Sequence, residues 1–126
     1  ITNPKKLLMD IEQARIYALS LPYATEDMPF GDDYVVFRIG GKIFMALPLD
    51  GLLATRLTIK LPPELGQELR ERYDGVRPAW HWNKKHWNDI MLQHSDFTDD
   101  QIKQWITISY TTVRDKLPGT LRATLQ

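Results

Sequence analysis

The side chains able to do chemistry concentrate between Arg77 and Met91, RPAWHWNKKHWNDIM. Three of the four tryptophans, two of the three histidines, the adjacent Lys84 and Lys85, and Asn83 fall in that stretch. Interleaved aromatic and basic groups suit nucleic acid, because rings stack on bases while cations offset phosphate charge. A second reading makes the tryptophans core, since large aromatics are usually highly buried and Trp87 opens an expected strand. Trp80 and Trp82 alternate onto one side of the chain. Lys84 and Lys85 belong at the surface under either reading, because an unpaired ammonium is almost never buried.

Other candidate chemistry is thinner. His81 and His86 are five apart and His94 lies eight further on, with no HExxH helix and no carboxylate at ligand spacing. They read as turn caps or backbone partners, and neither a metal nor another cofactor is expected. Glu26, Asp27, Asp32 and Asp33 offer a carboxylate pair for acid–base work or a cation site. No nucleophile, phosphate loop or calcium-loop pattern accompanies them, so solvated edge and turn charge is the simpler reading. Ser95, Ser109 and Thr111 carry no activating motif. An enzyme is not expected.

The elements that must hold these groups follow from pattern. Asn3 before Pro4 marks a helix start, and Leu7, Leu8, Ile11, Ala14, Ala18 and Leu19 give it one buried stripe until Pro22 ends it. Tyr23–Phe30 reads as a short acid-rich edge strand, closed by Pro29 and Gly31. Gly40-Gly41 between two apolar runs predicts a tight hairpin. That turn places Ile39 opposite Lys42, Arg38 opposite Ile43, Phe37 opposite Phe44 and Val36 opposite Met45. Val35, Phe37, Ile39, Phe44 and Ala46 would then face the core, with Val36, Arg38, Ile43 and Met45 on the other side. Arg56–Leu61 alternates cleanly, with Leu57, Ile59 and Leu61 inward and Arg56, Thr58 and Lys60 outward.

Pro62-Pro63 leads into a helix over Glu64–Arg72, with Leu65, Leu69 and Tyr73 packing and Glu68 paired to Arg72. Asp74-Gly75 is a turn, and a strand is expected from about His86 to Leu92. Thr98 caps the final helix, with Gln101 completing a capping box and Phe97 stapled to Ile102. Ile102, Ile106, Ser109, Val113 and Leu117 form its buried stripe, and Pro118-Gly119 stops it. The order is helix, three or four strands, helix, strand, helix. The economical solution is a two-layer α+β domain with helices packed on one side of an antiparallel sheet.

At 126 residues the chain fits one domain, residues 1–126. The absence of cysteine excludes a disulfide framework and thiolate chemistry. No run approaches the length of a membrane span, and ITNPKK lacks the apolar core of a signal peptide, so the expected location is the cytoplasm. Sixteen basic and sixteen acidic residues cancel, which removes net charge as an argument for nucleic acid. Distribution restores part of it: Arg38, Lys42, Arg56 and Lys60 stand against Asp50 alone between Val35 and Lys60. A neutral molecule can carry a polarised surface, and local field steers a partner. Scattered solvated charge is the competing reading.

The block Pro78-Ala79-Trp80-His81-Trp82-Asn83-Lys84-Lys85-His86-Trp87 closely follows P-[AG]-Y-H-M-N-K-x-H-W, and through it the chain resembles the MmcQ/YjbR family. Leu19–Pro22, Glu26–Gly31, the Phe37–Phe44 hairpin, Leu69–Tyr73, Ser109-Tyr110 and Lys116–Pro118 extend the resemblance over nearly the whole chain. Trp80 stands where the family has Tyr and Trp82 where it has Met. The resemblance implies a CyaY-like (frataxin-like) α+β fold and DNA binding through a double-wing motif.

The expected function is therefore non-enzymatic binding of DNA, duplex and with little sequence preference. Arg38, Arg56, Lys60, Arg77, Lys84 and Lys85 would meet phosphate, and the Gly40-Gly41 hairpin would be a wing placing Lys42 at a groove. His81, Trp82 and Asn83 would stack and hydrogen-bond. The alternative is a protein- or small-ligand-binding module built on the Trp80–Trp87 surface.

Overall fold

The computed structural model describes residues 9–49, 56–92 and 97–124. The first described helix, α1 (Ile11–Ser20), starts at a capping box: the Asp10 carboxylate accepts the Gln13 N–H at 2.8 Å, and the Gln13 side chain accepts the Asp10 N–H at 3.0 Å. The expected start at Asn3-Pro4, with Leu7 and Leu8, lies outside the described residues. Ala14 and Ala18 are buried as their spacing predicts.

Six strands among the described residues form one antiparallel sheet: β1 (Thr25–Asp27), β2 (Tyr34–Ile39), β3 (Lys42–Pro48), β4 (Arg56–Lys60), β5 (Val76–Pro78) and β6 (Trp87–Met91), in the order β1-β2-β3-β4-β6-β5. Helix α2 (Pro63–Arg72) flanks β5, and α3 (Asp99–Arg114) lies across β3 and β4 beside α1. This is the expected α+β arrangement. Thr98 and Gln101 form the predicted capping box, and Ile102, Ile106, Ser109, Val113 and Leu117 are buried as predicted, joined by Trp105 and Tyr110. Three elements escape the pattern: a single 3-10 turn over Gly31–Asp33, the three-residue β5, and α4 (Gly119–Thr124), where the chain resumes a helix after α3 ends. No helix among the described residues is long and apolar enough to cross a membrane.

The hairpin register holds at its tip and then shifts. Ile39 faces Lys42 and Arg38 faces Ile43, but Phe37 faces Met45 and Val36 faces Ala46, because Phe44 is an extra residue in a β-bulge. The bulge reverses the expected faces of the next two residues. Met45, opposite Phe37 and Ile59, joins the helix-side core, while Ala46 turns to the other face with Val36. A bulge leaves ladder groups unpaired, and α3 supplies the missing partner. The Ser109 hydroxyl donates to the Phe44 carbonyl and accepts the Lys60 N–H at 2.8 Å.

Candidate nucleic-acid interface

One row of residues crosses the sheet on the face away from the helices: Asp27, Val36, Ala46, Thr58, Asp89 and Arg77 oppose one another from edge to edge. Strand alternation puts Arg56 and Lys60 on this same face, on either side of Thr58. The middle of the face is not bare. Thr58 is only 1% exposed, because residues 79–86 fold back over the sheet.

Asn83 holds that loop closed. Its backbone carbonyl accepts the His86 and Trp87 N–H groups at 3.1 and 2.9 Å, and its side-chain oxygen accepts the Lys85 N–H at 3.0 Å. The loop seats Trp82 on Trp87, centroids 4.7 Å apart, with Phe30 and Tyr34 edge-on at 6.4 Å. Trp82 and Trp87 are both half-buried on the open face, and Trp105 is the tryptophan of the core. Trp80 points out, 77% exposed, with the Lys84 ammonium 5.1 Å above its ring.

Trp82 is a ridge with hollows on either side. On one side Arg38, Lys42, Lys60 and Lys116 surround a basin of about 500 Å³, floored by Trp82 and Trp87. The cations crowd each other. Burial, then the charges of Lys116 and Lys42, hold the Lys60 ammonium below its usual range. His86 is likewise pushed down, first by burial and then by Lys60, Lys85 and Lys116. Lys42, Lys60, Lys85 and Lys116 meet no carboxylate within ion-pair distance among the described residues. On the other side lie two confluent hollows of about 640 and 910 Å³, both lined by Tyr34, Arg56, His81 and Trp82. Asp89 sits in the larger one. Its carboxyl accepts the Thr58 hydroxyl at 2.6 Å and is raised above the usual carboxylate range by burial, which Thr58 and Arg56 oppose.

The residues singled out by pattern are thus divided. Lys42, Lys60 and Arg38 line the basin and Lys85 acts on the neighbouring His86, although Arg38 already donates to Asp27 at 3.0 Å and to the Gly41 carbonyl. Arg56, Arg77, His81 and Lys84 stand on the far side of Trp82. There Arg56 lies 3.8 Å from Asp89, Arg77 donates to the Asp74 carbonyl and Lys84 to the Trp80 carbonyl. Asn83 spends its side-chain oxygen inside the loop, and His94 lies outside the described residues. The acids read as solvated edge charge are partly engaged, since Glu26 accepts two N–H groups of Arg15 at 2.8 and 2.7 Å.

Lys116 was not foreseen as a site residue. Lys116 reads in the sequence as a helix-ending cation, and only the packing of the α3 end against the hairpin brings it beside Lys42 and Lys60. At the hairpin tip Gly40 lies under Leu117 and Leu121, so close that a Cβ there would sit 2.6 Å from Leu117 Cδ1, while Gly41 and Lys42 are exposed.

A family model described as YjbR matches residues 19–112. The uncharacterized protein YbdF of Escherichia coli O157:H7 is 33% identical over 107 residues, covering 84% of this chain and 85% of the relative. The uncharacterized protein YjbR of E. coli K12 is 36% identical over 69 residues, 55% of this chain and 58% of that one. Among solved structures, Deinococcus radiodurans protein DR2400 superposes with a TM-score of 0.85 at 26% identity, covering 99% of this chain and 91% of its own. A Pseudomonas syringae protein does so with a TM-score of 0.69 at 28% identity, covering 82% and 98%.

Proposed function

The chain belongs to the YjbR family, and proceeding from that membership we propose a non-enzymatic DNA-binding protein of the cytoplasm that grips phosphate with little regard for sequence. The observation that carries the proposal is the basin. Lys42, Lys60 and Lys116 line it beside the indole rings of Trp82 and Trp87, and Lys60, Lys85 and Lys116 bear on His86. No carboxylate lies at ion-pair distance from these lysines among the described residues. Mutual repulsion and partial burial destabilise the charged form of Lys60, and a phosphate between these ammonium groups relieves that repulsion. Binding of this kind releases counterions and reads the backbone, not the base edges.

Titration of a fluorescent duplex at two salt concentrations tests it. Four phosphate contacts predict a log–log slope of roughly −3.6, at about −0.9 per contact. Absence of binding at low salt by both the duplex and a single strand of equal length, or affinity indifferent to salt, removes the proposal. The exposure of Trp80 favours one rival, a protein- or small-ligand-binding surface on Trp80–Trp87. Charge reversal at Lys42 and Lys116 separates the two, because an apolar interface centred on Trp80 would tolerate it.

A further inference from the structure

We infer that the cleft beyond Trp82 takes an unpaired base, so that the DNA engaged by this protein is a single-stranded segment whose phosphates lie on the lysine basin. The inference rests on the proposed phosphate role of that basin and adds what the second hollow does.

The cleft differs from the basin in holding a carboxylate among its cations Arg56, Arg77 and Lys84. Asp89 lies in it, with Oδ1 occupied by the Thr58 hydroxyl and Oδ2 only 3.8 Å from Arg56 Nε, too long for a hydrogen bond. A carboxylate so placed accepts N–H donors from the edge of a base, which the ammonium groups of the basin cannot do. The walls are aromatic. Trp80 is 77% exposed, and Tyr34 and Trp82 line both hollows, which gives a base flat faces to stack on. The Tyr34 hydroxyl and the His81 imidazole make no hydrogen bond among the described residues and remain available to a ligand. Volumes of about 640 and 910 Å³ fall in the range of small-molecule sites.

Position argues for a nucleotide chain in place of a free ligand. The basin and the cleft share one wall, the Trp82 ring. A strand with its phosphates on Lys42, Lys60 and Lys116 can cross that ridge and drop a base beside Trp80. A base within an intact duplex cannot do so, because both its faces are covered by its neighbours in the stack.

Three probes of equal length test this by fluorescence anisotropy at matched salt: a mixed-sequence single strand, a strand of abasic sites with the same phosphates, and a blunt duplex. The single strand should bind more tightly than the abasic strand, by about fivefold to a hundredfold if one base stacks, and more tightly than the duplex. Trp80→Ala, at an exposed position where no core packing is lost, should bring the single strand down to the abasic strand's affinity. Equal affinity of single and abasic strands, preference for the duplex, or a Trp80→Ala variant that keeps the difference overturns the inference. In each of those cases salt-dependent binding of the abasic strand or the duplex leaves the phosphate proposal standing. If none of the three probes binds at low salt, both fail together.

Discussion

His86 sits where the proposed interface is most sensitive to pH. Burial and three neighbouring lysines favour its neutral form, so in the free protein it takes up a proton only below the ordinary imidazole range. Phosphate at the basin would offset those lysines and raise the His86 pKa, so DNA binding should be accompanied by proton uptake. Affinity should therefore rise as pH falls from about 7.5 to about 5.5, the range in which histidine charges, and His86→Gln should flatten that rise. Anisotropy titrations at the two pH values check it; an unchanged slope in the variant places the titrating group elsewhere. Folding responds with the opposite sign. A depressed folded-state pKa means the unfolded chain binds the proton more readily, so His86 removes stability as pH falls through its unfolded value. The sequence marks His86 as part of an unusual block, but nothing in its neighbours along the chain reveals Lys60 and Lys116 beside it.

At the level of elements, the hairpin shows how far pattern carries and where it stops. Two adjacent glycines predict the turn, and both adopt positive φ, +58° at Gly40 and +81° at Gly41. They differ in surroundings: a Cβ at Gly41 meets open space, whereas one at Gly40 meets Leu117. Gly41→Ala should thus add only left-handed backbone strain, about 1–2 kcal/mol. Gly40→Ala should lose more, by roughly 1–3 kcal/mol of overpacking against α3 and α4. Urea denaturation of the two variants measures this, and equal losses would mean the tip is not pinned. Alternation places β4 correctly and the Thr98 box places α3, because both signals are local. The bulge at Phe44 has no such signal, since the hydroxyl that completes it comes from Ser109, on another element.

For the molecule as a whole, the zero net charge conceals a division about Trp82. Lysines without counter-charges among the described residues stand on one side with Arg38, which Asp27 pairs, and Arg56 and Arg77 stand with Asp89 on the other. Charge reversal should therefore act by location and not by number. Lys42→Glu with Lys116→Glu should abolish DNA binding, whereas Lys84→Glu, whose ammonium lies over Trp80 on the far side, should weaken it only modestly. Comparable losses from both variants would contradict a phosphate site confined to the basin.

The sequence by itself determined the helical stripes, the hairpin turn, the caps and the α+β class, because each depends on residues within a few positions of one another. It also singled out the segment that carries Trp82. Tertiary structure alone decided which cations lie together, which tryptophan is core and that Gly40 packs under Leu117 and Leu121. Those outcomes depend on side chains from α3, the hairpin and the 79–86 loop meeting in space, and no periodicity along the chain records which distant ammonium, carboxylate or ring will be the neighbour.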